Sequence, residues 1–286
     1  MQKGRFFSGM LLAPALIFML LFLLGPLLYV GVLSLQNTDA MLNPVADYGL
    51  SQYVAVFSGK SYIEAIFVSL GVAVITTFLC IVIALPIAWT LINTQSRALK
   101  VLLFIVVVSP LLTSVVIRTF AWIVLLARNG LLNDSLLQLG LIDRPLGMLW
   151  NLKAVIIALV QVLIPFAVLP IATALNKLPR DTIRASLNLG ASHFYTFRHI
   201  VLPLVVPGIL SGAIVVYALA VGSYITPLLI GGAMQPILPV TIYQEAIQIG
   251  NLPLSSALAL ILLAITLMVV FLLALALHRW EKKTYG

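Results

Sequence analysis

Charge is scarce in this chain. Only 8% of its 286 residues are Asp, Glu, Lys or Arg, while 62% are hydrophobic and the mean hydropathy is +1.17. A soluble domain of this length needs a charged surface, so these values exclude one and place the chain in the membrane class. Acids are scarcer still, with 8 against 16 basic residues and a net charge of +8. In a membrane chain that balance reflects basic loops beside an anionic leaflet, and it does not imply a nucleic-acid partner. The lone cysteine, Cys80, permits no intrachain disulfide and says nothing about redox compartment.

Catalytic and metal-binding constellations are missing too. His193, His199 and His278 lie at the edges of apolar runs, and none is spaced with a second ligand for a metal. No serine lies with a base at membrane depth. Gly59-Lys60-Ser61 resembles the end of a phosphate-binding loop, but Val54 takes the place of its first glycine. The chain is therefore expected not to be an enzyme, with no catalytic residue, metal site or cofactor of its own. Ion-coupled carriers need ionisable residues inside the membrane, and here the apolar runs hold Arg118 and, near their ends, Glu64 and Lys100. Arg118, among Thr113, Ser114, Thr119 and Trp122, reads as an arginine satisfied by nearby hydroxyls and carbonyls, or snorkelling outward, rather than as an anion site.

What is present is a set of apolar runs at about 6–35, 63–92, 99–126, 154–175, 200–230 and 254–277, each long enough to cross a bilayer as a helix. The first is too long for a signal sequence and no cleavage pattern follows it, so it is expected to be a retained span. The expected fold is an all-α membrane protein of six transmembrane helices, forming a single domain over residues 1–286. Lys3, Arg5, Arg97, Lys100, Lys177, Arg180, Arg184, Arg198, Arg279, Lys282 and Lys283 fall on one side, while the loops on the other hold most of the acids, Asp39, Asp47, Asp134, Asp143 and Glu245, against Lys60, Arg128, Arg144 and Lys153. That bias predicts a multi-pass protein with both termini in the cytoplasm. The outer loop from Asn129 to Trp150, with turn signals between leucine-rich runs, is expected to pack as a short helix.

Two stretches stand out from the apolar background. The fifth span is irregular: Pro203, Pro207 and Pro227 interrupt it, and Gly208 and Gly212 match the GxxxG packing spacing. Its Gly222-Ser223-Tyr224-Ile225-Thr226-Pro227 run predicts a broken, hydroxyl-bearing segment, which either lines a pathway or is a packing kink. The second stretch is a polar island at 177–203, on the cytoplasmic side of the predicted topology. In it Leu187, Ala191, Phe194 and Phe197 recur at helical spacing, with an interruption near Gly190. Spacing alone leaves two possibilities, a surface for a soluble partner or an interfacial helix on lipid headgroups.

The island resembles the EAA loop of ATP-binding-cassette (ABC) importer permeases, E-A-A-x3-G-x9-I-x-L-P, with Ala185, Gly190, Ile200, Leu202 and Pro203 in register. Arg184 stands where that family has glutamate, and Ser186 where it has the second alanine. The resemblance covers most of the chain and implies the type I importer permease fold, in which this loop is a cytoplasmic coupling helix docking on an ATPase. Arg184, Ala185, Gly190, Phe194, Phe197, Ile200, Leu202 and Pro203 are then the expected coupling residues. It further implies a second permease subunit, homologous or identical, two cytoplasmic ATPases that use ATP and Mg, an extracytoplasmic solute-binding protein, and a bacterial inner-membrane location.

Pro110-Leu-Leu-Thr-Ser, Ile117 to Trp122, Asn129 to Asn133 and Tyr224-Ile225-Thr226-Pro227 look like the spermidine/putrescine-type permeases of that family. A polyamine path wants acids or aromatic faces, and the spans offer almost no acids. Trp122, Tyr217, Ser223, Tyr224 and Thr226 are the expected pathway residues. The alternatives are a self-sufficient carrier or channel, or an importer of another solute such as amino-acid-like or phosphonate compounds.

Overall fold

The computed structural model describes the backbone of residues 2–232 and 235–285, and their side chains except at 2–13, 15, 180, 281 and 283–285. Its helices long and apolar enough to cross a membrane are Leu16–Ser34, Lys60–Asn93, Val115–Gln138, Leu152–Asn176, His193–Val221 and Leu252–Trp280. Six such spans among the described residues match the number expected from hydropathy. The chain divides into two compact units, one made of the residues through Glu64 with Thr241–Ala264, the other of Ala65–Val240 with the residues from Ile265 onward.

In the first unit α1 (Gln2–Ser34) leads into a two-stranded antiparallel hairpin, β1 (Gln36–Thr38) and β2 (Pro44–Tyr48), which an all-helical expectation did not include. Asn37 donates to Asp47 at 2.6 Å and accepts from Ser51, so side chains rather than ladder length hold this short pair. Helix α2 (Ser51–Ser58) is fixed by Tyr53, whose hydroxyl is 2.9 Å from Ser34 Oγ. Near the start of α3 (Lys60–Asn93), Tyr62 donates to Glu245 at 2.8 Å. The acid expected in a loop thus lies in a π-helical turn, Gln244–Ile249, and is largely buried.

The second unit is built around α7 (Leu152–Asn176), whose Val155, Ala158, Val168 and Ile171 are all but inaccessible. Its main neighbour is α10 (Leu202–Val221). At Gly208 a side chain would lie 2.5 Å from Ala174 Cβ and 2.9 Å from the Pro170 carbonyl, and at Gly212 3.3 Å from Ala167 Cα. The GxxxG spacing is therefore the strip where the two backbones meet. Cys80 of α3 is buried, its Sγ 3.6 Å from the Val160 carbonyl, and serves as a small apolar packing residue.

The expected third span, 99–126, is interrupted. It divides into α4 (Arg97–Leu112) and α5 (Val115–Leu126) at Thr113 and Ser114, three residues past Pro110. Proline removes a helix hydrogen bond and crowds the preceding turn, and Ser109 and Thr113 hydroxyls take up carbonyls around it at 3.2 and 3.3 Å. Beyond α5, the expected short helix is present as α6 (Leu131–Gln138). Fully buried Asn133 holds it by donating to the Ala127 and Leu146 carbonyls and accepting from the Leu146 amide at 2.8 Å.

Candidate functional site

The island folds as two helical pieces about a tight turn. Helix α8 (Arg180–Asn188) starts after Pro179, with Asp181 in its first turn, where a negative charge complements the helix dipole. Gly190 follows with φ +88°, a conformation that side chains disfavour. Its amide donates to the Leu187 carbonyl at 3.0 Å while the Ala191 amide donates to Ser186 at 3.2 Å, the paired closure of a Schellman motif. Ser192 then caps α9 (His193–Thr196) by accepting from the Tyr195 amide at 3.2 Å. From there a π-helical turn, Phe197–Val201, runs without a break into α10.

The turn creates an open cleft of about 660 Å³ lined by Ala185, Ser186, Leu189, Gly190, Tyr195 and Ile200, among others. Leu189 and Phe194 protrude, 88% and 73% exposed. Phe197 turns the other way, packing edge-on against Trp89 with ring centres 5.6 Å apart. At the Leu202-Pro203 exit the Pro203 carbonyl accepts from Trp280 Nε1 at 3.1 Å, tying the motif to α12 (Leu252–Tyr285).

The second candidate region is the break after α10. That helix stops at Val221 with Gly222 as its cap, and the chain resumes in a π-helical turn, Pro227–Gly231. Thr226 is buried with its Oγ1 3.3 Å from Thr119 Oγ1. Trp122 donates from Nε1 to Gln161 at 3.3 Å. The break rests on a core that includes Leu126, Val155, Leu159 and Ile230, and Trp150 closes it from beyond, its amide donating to Ile230 at 3.0 Å. Tyr217 is buried and its hydroxyl has no hydrogen-bond partner among the described residues, whereas Tyr224 is 41% exposed. Arg118 donates to the Pro110 carbonyl across the α4–α5 break.

Residues 53–282 match the family described as binding-protein-dependent transport system inner membrane component. The chain belongs to this permease family. It is 32% identical to the spermidine/putrescine transport system permease protein PotB of Salmonella typhimurium strain SL1344, over 97% of this chain and 94% of that one. With the protein of the same name from Escherichia coli K12 it shares 33% identity over 81% and 83% of the two chains. Among solved structures, a bacterial ABC transporter involved in the import of the acidic polysaccharide alginate superposes with a TM-score of 0.75 at 19% identity, covering 97% of this chain and 96% of that one. The fold is that of a type I ABC importer permease.

In this permease the motif residues do not form one surface. Ala185, Gly190 and Ile200 share the open cleft, Arg184 lines a different one, and Leu202 and Pro203 lie in the first turn of α10. The apolar face expected from Leu187, Ala191, Phe194 and Phe197 is corrected by the structure: the left-handed turn at Gly190 resets the helix axis, so i, i+3, i+4 spacing does not carry across it. Of the expected pathway residues, Thr226 and Tyr217 are buried, Trp122 and Ser223 are half-buried and Tyr224 is exposed. Sequence reasoning missed Gln161 and the buried Ser186–Thr196 pair. A glutamine inside the otherwise apolar run of α7 was the signal for the first; the second needs the turn geometry to become visible.

Proposed function

We propose that this permease is the membrane-spanning subunit of an ATP-driven polyamine importer, moving spermidine or putrescine by alternating access. The observation that carries this reading is its likeness to PotB along nearly the full length of both chains. The break after α10 supports it chemically. Half-buried Trp122 and exposed Tyr224 offer aromatic faces to an ammonium group, and half-buried Ser223 and Gln161 offer oxygens, while Tyr217 and Thr226 are buried. Arg118 donates to the neutral Pro110 carbonyl and keeps its charge, so it would repel a polycation if it lined the path, and this reading places it off the path.

The permease then works with a second permease, two cytoplasmic ATPases that consume ATP and Mg, and an extracytoplasmic binding protein that delivers solute. Both termini lie in the cytoplasm. The segment from Arg184 to Pro203 transmits ATPase closure: the Gly190 cleft and the protruding Leu189 and Phe194 receive the partner, and Pro203 passes the movement into α10.

The test is uptake of radiolabelled spermidine and putrescine in host cells lacking other polyamine importers, with the gene present, deleted, or carrying Trp122→Ala with Tyr224→Ala. ATP-dependent uptake that vanishes on deletion and falls in the variant supports the reading. Unchanged polyamine uptake on deletion, with loss of uptake of an amino-acid-like or phosphonate solute, reassigns the cargo. Transport by the purified chain alone in vesicles without ATPase would favour the self-sufficient carrier.

A further inference from the structure

Helix α8 has a cleft on each of two sides. The first is the motif cleft of about 660 Å³. The second, of about 370 Å³, is lined by Ile92, Asn93, Thr94, Gln95, Lys100, Ile183 and Arg184. Its character differs: two cations from separate elements, α4 and α8, accompany carboxamides and a hydroxyl, and no acidic side chain lines it among the described residues. Among the described residues Arg184 has only a weak acidic partner. Its nearest acid, Asp181, is 3.9 Å away, with both side chains largely exposed at 73% and 98%, and such a pair contributes little.

We propose that this basic cleft receives a carboxylate from the ATPase that docks on α8, so that the charge of the contact is reversed relative to the glutamate of the family motif. This rests on the coupling role assigned above. Two observations favour a protein over a lipid phosphate. The basic cleft and the motif cleft flank the same nine-residue helix, so one rigid surface carrying an apolar projection and an acid can fill both, whereas a headgroup fills only one. The apolar residues beside the turn, Leu189 and Phe194, also protrude as anchors for such a surface. Docking removes water from the cleft, and two cations on one carboxylate then form charge-assisted hydrogen bonds that select the partner.

A zero-length carbodiimide joins lysine amines to carboxylates in contact with them, which makes Lys100 a native probe. The tagged full-length chain is extracted from its host in lipid nanodiscs, treated, and mapped by mass spectrometry. The expected result is an amide between Lys100 and an Asp or Glu of the co-purified ATPase, and in Arg184→Lys an alternative amide from position 184 to the same acid in a separate fraction of the complexes. Arg184→Glu with Lys100→Glu is expected to lower ATPase retention about tenfold or more at normal permease yield, and replacing the linked ATPase acid by lysine is expected to restore it.

Retention unchanged in the double variant, with no link from Lys100 in the native complex, overturns the proposal and leaves the importer reading intact. Loss of bound anionic phospholipid with unchanged ATPase retention assigns the cleft to a lipid phosphate and overturns it too. Absence of any ATPase from the unaltered chain overturns the coupling reading and this proposal together.

Discussion

Ser186 Oγ and Thr196 Oγ1 lie 2.9 Å apart, both side chains buried, on opposite sides of the Gly190 turn. The serine stands where the family motif has alanine, and its hydroxyl ties α8 to the helix that becomes the fifth span. Ser186→Ala is expected to leave the Thr196 hydroxyl buried and unpaired, at about 1–3 kcal/mol, whereas Ser186→Ala with Thr196→Val removes both polar groups and is expected to be nearly neutral. Proteolysis rates at the 185–196 segment of the purified protein measure this. Equal acceleration in the single and double variants would show that the two hydroxyls are not coupled.

Much of the fold was legible because lipid imposes one rule, that backbone groups be satisfied within the segment. Long apolar runs therefore became helices, and Gly208 and Gly212 marked where α7 and α10 meet. The interruption at Thr113–Ser114 was not legible: it follows Pro110, yet Pro165 and Pro170 sit inside α7 without ending it. Proline alone does not say whether a helix kinks or stops; neighbouring hydroxyls and packing decide. In the island, Gly190 and the exit at Pro203 were readable, but the direction of Phe194 and Phe197 depends on the turn, and the side chains end up apart. Asn133 was hidden for a similar reason, since its three hydrogen bonds close a loop whose ends are separated in sequence.

At Gly190 the space is open and the backbone is not. No atom lies within 4 Å of an added Cβ, but φ is +88°. A substitution is penalised by conformation alone, about 1–2 kcal/mol for alanine and more for a β-branched residue, while asparagine tolerates this region best. Gly190→Val is expected to abolish uptake at normal membrane insertion, and Gly190→Asn to retain most of it. Equal transport by both variants would remove the turn from the coupling mechanism.

The hairpin of the first unit carries a pH response. Asp39 accepts from the Asn43 and Met41 amides, each at 2.8 Å, and the Asn43 bond is the largest cause holding its carboxyl below the usual aspartate value. Because the folded value is depressed, the contribution is complete above the ordinary value of about 3.9 and is lost as pH falls through the lower folded one. Protection of the Met41 and Asn43 amides from hydrogen exchange, relative to their intrinsic rates, is expected to fall in that acidic window. Asp39→Asn keeps an acceptor oxygen without the charge, so its protection is expected to be flat there. A parallel fall in the variant would assign the loss to another group.

Gly208 and Gly222 separate packing from pathway in the same span. A methyl at Gly208 would meet Ala174 Cβ at 2.5 Å and the Pro170 carbonyl at 2.9 Å, so backbone and not a flexible side-chain end would have to shift to admit it. At Gly222 the nearest atom is the Ala218 carbonyl at 3.5 Å, an ordinary contact, and φ is −82°. Gly208→Ala is therefore expected to destabilise the protein by about 1–3 kcal/mol through overpacking, and Gly208→Leu to prevent a folded product. Gly222→Ala is expected not to lower thermal stability, which would rise by at most about 1 kcal/mol, and to lower transport, because it stiffens the residue at which α10 ends. Thermal unfolding in detergent, followed by the near-ultraviolet signal of the tryptophans, checks the first pair, and uptake at matched expression checks the second. If Gly208→Ala unfolds at the native temperature, α7 and α10 are farther apart than their glycine contact requires. If Gly222→Ala transports normally, the break after Val221 tolerates stiffening at Gly222, and its function must rest on the side chains that follow.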